Sequence, residues 1–96
     1  MEDFKIIFRG QAAGKYKEIQ TGTIFSREKK EVAEAIMKVL RDPFKNGRPG
    51  TIRKLRGYDD HYEFRKFPKS ISIDRMFYAI DKREKRIYIY YLGPHP

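Results

Sequence analysis

Asp74-Arg75-Met76-Phe77-Tyr78-Ala79-Ile80-Asp81 and Ile87-Tyr88-Ile89-Tyr90-Tyr91-Leu92-Gly93 flank a charged turn, and Tyr62-Glu63-Phe64-Arg65 precedes them. The three stretches read as strands, because aromatic and β-branched residues alternate with other types at a period of two. Asp81 to Arg86 reads as a hairpin loop, and Ile87 and Ile89 alternate strictly with Tyr88 and Tyr90. Tyr62, Phe64 and Phe67 fit an inward face, which sends Glu63 and Arg65 to the other side. In the next stretch Ile71, Ile73, Arg75, Phe77 and Ala79 share one face, and Ser72, Asp74, Met76, Tyr78 and Ile80 the other. Arg75 therefore sits at the edge of an otherwise apolar face, or the pairing is bulged nearby, and broken patterning tends to mark functional sites. A mid-strand arginine is a permanently charged fork suited to phosphate. Arg65 and Arg75, on strands joined by a short connection, are placed to converge on one anion.

Upstream, Phe4-Lys5-Ile6-Ile7-Phe8 alternates as an opening strand, with Phe4, Ile6 and Phe8 on one face. Residues 11–20 carry Ala12, Ala13, Tyr16 and Ile19 at helical spacing, weakened by Gly14. A second helix has Ser26 as its expected N-cap and Glu28 and Glu31 near its positive end. Val32, Ile36, Val39 and Leu40 form its apolar stripe. Arg41-Asp42-Pro43 stops it, because the residue before a proline avoids the helical region. Asn46-Gly47-Arg48-Pro49-Gly50 has the composition of a loop. The order of strand, two helices and three antiparallel strands predicts an α+β fold with both helices packed on one sheet face.

Ninety-six residues make one domain, spanning 1–96, which removes roughly two-thirds of the unfolded chain's surface from water. No stretch approaches the ~20 apolar residues of a membrane span. The N-terminus enters a strand directly with no signal-peptide layout, so a cytoplasmic protein is expected. The absence of cysteine removes disulfides, thiol catalysis and Cys-based zinc sites, and two histidines are too few for a typical zinc site. No cofactor is implied. Asp59-Asp60-His61 reads as a turn. The net charge of +9 is uneven: residues 1–44 hold nine Lys and Arg against seven acids, and residues 45–96 hold thirteen against six. A basic half interleaved with tyrosines suits a polyanion such as nucleic acid or the ribosome.

Taken in order, these motifs resemble the RelE/ParE superfamily of toxins from bacterial and archaeal toxin–antitoxin pairs. The resemblance covers nearly the whole chain. It is carried by the opening strand, two helices, Asp42-Pro43-Phe44, Lys54-Leu55-Arg56-Gly57, Tyr62-x-x-Arg65, Arg75-x-x-Tyr78-x-Ile80-Asp81 and the last strand ending at Gly93. It implies a microbial RNase fold whose RelE-like members cut mRNA in the ribosomal A site without a metal and are neutralised by a small antitoxin. The implied reaction is attack of a 2′-OH on the adjacent phosphate, which leaves a cyclic phosphate and a 5′-OH.

The same resemblance puts the family's basic strand residue on Arg65, the arginine before its hydrophobic-Tyr strand on Arg75, and its catalytic tail histidine on His95, which is either the general acid or a chain-end residue held between two prolines. Glu63 stands where RelE has lysine, and it is either a replacement general base or a surface partner of Arg65. Arg75 is either a phosphate clamp or a partner of Asp74 or Glu63. Arg53, Lys54, Arg56 and Lys66 are the candidate contacts to mRNA or rRNA, and Tyr88, Tyr90 and Tyr91 are either base-stacking or packing residues. Two departures accompany the match. Phe67-Pro68-Lys69-Ser70 lengthens the connection to Asp74, and no tyrosine follows Gly93, where His95 stands between Pro94 and Pro96. The retained arginines favour the nuclease. The altered tail favours a catalytically weak or inactive relative, either a ParE-like gyrase poison or a basic RNA- or protein-interaction module.

Overall fold

The computed structural model describes residues 3–22, 26–44 and 52–96. They form β1 (Lys5–Phe8), α1 (Gly10–Thr21), α2 (Ser26–Arg41), β2 (Ile52–Lys54), β3 (His61–Phe64), β4 (Arg75–Asp81) and β5 (Arg86–Gly93). The strands make one sheet in the order β1-β5-β4-β3-β2. The expected α+β architecture holds, with two helices on one face of the sheet. It gains a three-residue strand, β2, at the edge. Neighbouring strands run antiparallel except β1 and β5, which are parallel.

Each helix sits where its apolar positions require. Gly10 opens α1 with φ of +54°, a left-handed conformation that costs glycine least and lets the chain turn directly out of β1. Ala12 and Ile19 are then buried against the sheet, while Gly14 stays on the exposed side. In α2, Val32, Ala35 and Val39 are buried, and Ile36 and Leu40 pack against the same core. Ser26 is the first helical residue, so the position ahead of it falls outside the described residues. The helix ends at Arg41, as the following Asp42-Pro43 requires. The stretch Asn46 to Gly50 also lies outside the described residues.

The sheet's core face is built from Tyr62 and Phe64 of β3, Met76, Tyr78 and Ile80 of β4, and Ile87, Ile89 and Leu92 of β5. Phe67 meets Phe64 edge-on at 5.1 Å between ring centroids. The expected face assignment before β4 needs correction. Ile73 is buried and so is Met76, three residues later, so the alternation slips at Asp74 and the strand begins only at Arg75. Arg75, Phe77 and Ala79 therefore do not share the face of Ile73; they lie on the side of β4 turned away from the helices.

Two side chains finish the backbone pairing. β1 stops at Phe8, which leaves the end of β5 without a strand on that side. The Gln11 carboxamide replaces it: Nε2 donates to Leu92 O at 2.8 Å and Oε1 accepts from Leu92 N at 2.9 Å. Across the core, the buried Tyr78 hydroxyl donates to Pro43 O at 3.0 Å, which pins the end of α2 to β4. Among the described residues, no helix is long and apolar enough to cross a membrane.

Burial, followed by the nearby Tyr62 and Asp42, pushes the Tyr78 phenol well above its ordinary value of 10.0. The folded form thus keeps this proton where the unfolded chain loses it. Its contribution is complete below about pH 10 and declines as pH rises further. Tyr78→Phe should cost about 1 kcal/mol at neutral pH, because Pro43 O loses its donor. Urea unfolding followed from about pH 8 to about pH 11 should also show a shallower alkaline decline in Tyr78→Phe than in wild type.

Candidate active site

The face of the sheet away from the helices is left open. Strand alternation places Arg53, His61, Glu63, Arg75, Phe77, Ala79 and Tyr88 there, and Arg65 follows directly after β3. The register draws Arg53, Glu63, Phe77 and Tyr91 into one row across four strands. Such a row brings side chains of successive strands within about 5 Å of one another.

Glu63 is the centre of this face. Its side chain is only 5% exposed, and three guanidiniums surround it. Arg53 Nη2 lies 3.3 Å and Arg65 Nε 3.6 Å from Oε1, while Arg75 Nε lies 3.6 Å from Oε2. A buried carboxylate is tolerable only with such compensation. The two expected arginines do converge on one anion, and that anion is the protein's own carboxylate. Of the alternatives for Glu63, surface pairing with Arg65 alone is corrected: Glu63 is buried and shared among three arginines. Both alternatives named for Arg75 as an ion-pair partner occur together. Its Nη1 donates to Asp74 Oδ2 at 2.8 Å and to Asp74 O at 3.0 Å, while its Nε faces Glu63.

The cluster is only loosely closed. Its contacts to Glu63 exceed the roughly 2.7–2.9 Å of charge-assisted hydrogen bonds. Among the described residues, Glu63 Oε1 and Arg75 Nε are both buried without a hydrogen-bond partner. One is an acceptor lacking a donor, and the other a donor lacking an acceptor. Arg53 is 59% and Arg65 35% exposed, so these two arginines can swing outward while Arg75, at 15%, is held.

An aromatic shelf adjoins the charges. Between Phe77 and Tyr78 the β4–β5 register slips: Phe77 pairs with Tyr91, but Tyr78 pairs with Ile89. Tyr90 is the extra residue of this bulge. Phe77 consequently meets both Tyr90, at 6.1 Å, and Tyr91, at 5.3 Å. His61, expected in a turn, is the first residue of β3, with its ring close to Tyr58 and Tyr90. Burial, and then Tyr58, raises the Tyr90 phenol above its ordinary value. Farther along, the Arg9 guanidinium lies 3.8 Å from the centre of the Tyr88 ring.

The other expected contacts scatter. Arg53 joins the cluster, but Lys54 alternates to the opposite face, where it lines a hollow with Phe4, Phe44, Asp60, Tyr62 and Lys82. Arg56 is exposed in the β2–β3 turn, and Lys66 is exposed after β3. His95 is exposed beyond β5, in a tail that returns to the face because Tyr91 Oη donates to Pro94 O. The place of His61 could have been read from His61-x-Glu63-x-Arg65, which alternates with Tyr62 and Phe64.

Glu63→Gln preserves shape but leaves three arginines without their shared charge. It should destabilise the fold by on the order of 2 kcal/mol, below the range for fully buried pairs because two of the arginines reach solvent. Replacing chloride by phosphate in urea unfolding should recover part of that loss in the variant and add less to wild type. Equal stability of both proteins in both salts would deny Glu63 a structural role.

No protein-family model matches the chain, and no curated protein matches it. Solved structures do. The YoeB dimer from Staphylococcus aureus gives a TM-score of 0.72 at 23% identity, covering 99% of this chain and 100% of that one. The isolated Escherichia coli RelE toxin gives 0.70 at 18% identity, covering 97% and 85%. The intact E. coli RelBE toxin–antitoxin complex gives 0.68 at 19% identity, covering 97% and 98%. Two helices packed on a five-strand mixed sheet are thus common ground: the chain has the fold of the RelE and YoeB structures.

Proposed function

We propose that this protein is a RelE-like toxin, an endoribonuclease that cuts mRNA in the ribosomal A site and is neutralised by a cognate antitoxin. The observation that carries the reading is the pair of unsatisfied groups on the open face, Glu63 Oε1 and Arg75 Nε. RNA offers the two complements they lack. A 2′-OH is a donor for the carboxylate, and the neighbouring phosphate is an acceptor for the guanidinium. DNA lacks the first.

The chemistry follows from these positions. Once Arg53 and Arg65 turn from Glu63 toward the incoming phosphate, Glu63 is freed to take the 2′-OH proton. The 2′-oxygen attacks phosphorus, the P–O5′ bond breaks, and a 2′,3′-cyclic phosphate forms. Charge accumulates on the non-bridging oxygens during the displacement, and Arg65 and Arg75 are positioned to stabilise it. Phe77, Tyr90 and Tyr91 offer faces on which unstacked bases can rest. Lys66, exposed next to Arg65, and Arg56, exposed in the β2–β3 turn, serve as contacts to mRNA or rRNA backbone. No part of this scheme requires a cofactor.

Primer extension on translated mRNA tests the reading. Wild type should produce discrete cuts, and Arg65→Ala and Arg75→Ala should each slow them by roughly a hundredfold or more. Arg75→Lys, which keeps the charge but loses the fork, should recover only part of the rate. Growth arrest by wild type with intact message would favour the gyrase-poison alternative.

The partner follows from the charge. An acidic or amphipathic antitoxin segment suits a +9 domain, and its binding should weaken with salt wherever exposed charges dominate. Co-expression with an adjoining acidic open reading frame should yield a co-purifying complex. A harmless monomer at high expression would argue for a non-toxic interaction module.

A further inference from the structure

His61 stands two residues before Glu63 on the same face of β3, so their Cα atoms are roughly 7 Å apart along the strand. Its backbone is fixed: His61 O accepts from Leu55 N at 2.8 Å, and the preceding Asp60 O accepts from Ile80 N at 2.9 Å. Its ring is fixed as well. Nδ1 lies 3.2 Å from Tyr90 Oη, and the ring centroid is 5.4 Å from that of Tyr58 and 5.6 Å from that of Tyr90. Its cross-strand neighbour on β4 is Ala79, which leaves room above it. The bulge supplies Tyr90 at this place. Among the described residues Nε2 has no hydrogen-bond partner, so the ring is oriented through one nitrogen while the other is available.

In-line displacement at phosphorus puts the entering and leaving oxygens on opposite sides, so it needs proton acceptor and donor groups that stand apart on one surface. We infer that His61 is the general acid of the cleavage proposed above, donating its Nε2 proton to the departing 5′-oxygen, with Tyr90 as its positioning residue. The inference rests on the nuclease reading. Glu63 takes the 2′-OH proton, the 2′-oxygen pair forms the new P–O bond, and the P–O5′ pair leaves on the 5′-oxygen. His61 neutralises that oxygen and ends as neutral imidazole, its Nδ1–H still donating to Tyr90 Oη. Atoms and charge balance without a further reactant, and proton exchange between the products and water resets both groups.

Tyr58 faces His61 from the β2–β3 turn, Tyr90 from β5 and Glu63 from its own strand. On β4 its neighbour Ala79 is flanked on the same face by Phe77 and by Asp81, whose Oδ1 accepts from Glu84 N at 3.0 Å. Asp60 is drawn away by Lys82 at 3.5 Å. The other histidine, His95, has no comparable hydrogen bond among the described residues.

The test compares ordinary mRNA with mRNA carrying sulfur in place of the bridging 5′-oxygen at the cut position, because a thiolate leaves without being protonated. Both are programmed into ribosomes and cut by wild type, His61→Gln, His61→Asn, Tyr90→Phe and His95→Ala from about pH 5.5 to about pH 8.5. Wild-type cleavage of ordinary mRNA should fall as pH rises and the imidazolium is lost. The His61 variants should lose on the order of a hundredfold and lack that falling limb, yet approach wild type on the sulfur substrate. Such rescue demands a folded, RNA-bound enzyme, which a merely structural defect would not give. Tyr90→Phe, which removes the bond that orients the ring, should lower the rate on ordinary mRNA more than on the sulfur substrate. An unchanged rate in the His61 variants, an equal loss on both substrates, or a limb that disappears only in His95→Ala would each overturn the assignment. Wild type that cuts neither message would remove the nuclease reading itself, and this assignment with it.

Discussion

A single carboxylate removed from water organises the open side of this sheet. Glu63 lies on a strand whose alternate residues, Tyr62 and Phe64, are committed to the core, so it has no freedom to turn away. Its charge must be met where it stands, and arginines reach it from β2, from beyond β3 and from β4. The compensation is electrostatic more than directional, because none of the three contacts is a close hydrogen bond. A tighter cage would hold the arginines in the resting state. This one gathers positive charge at a point yet leaves most of its hydrogen-bonding capacity unspent, which is the condition preorganised anion recognition requires.

The two faces of the sheet use the same residue types in opposite ways. On the helix side Tyr62 and Tyr78 stack at 5.5 Å, and the Tyr78 hydroxyl is consumed by Pro43. On the open side Tyr90 and Tyr91 keep their rings beside solvent and use their hydroxyls to orient a histidine and a tail. The division depends on a one-residue bulge. Regular alternation would have sent one member of the Tyr90-Tyr91 pair into the core and left Leu92 exposed, so the extra residue serves packing and the open face together.

Much of this was legible before any coordinates. The helix stripe from Val32 to Leu40, the stop at Pro43 and the charged hairpin after Asp81 follow from local rules, and local rules are what a sequence displays. Alternation alone set Glu63 and Arg65 apart from Tyr62 and Phe64. Three features were hidden or left ambiguous, because they depend on pairing across distance. β2 has only Ile52 to bury, too little for a periodic signal. The phase slip between Ile73 and Arg75 is imposed by the partner Gly93, since Asp74 N donates to Gly93 O before the strand proper begins. His61 looked like part of a turn because two aspartates precede it, although its alternation with Glu63 and Arg65 carried a strand signal, and its backbone bond with Leu55 fixes where the strand begins.

The Gln11 amide bound to Leu92 says something about when the molecule becomes itself. The partner of β1 is the last strand in chain order among the described residues, and 81 positions separate the two ends of that bridge. Local helices can form early, but β1 has nothing to lie against and Gln11 nothing to bind until residue 92 has been added. Long-range closures of this kind slow folding, because chain entropy must be surrendered before any contact rewards it. The arginine-bearing strands can pair among themselves as hairpins, whereas the far edge of the sheet closes only when the two distant ends of the Gln11 bridge meet.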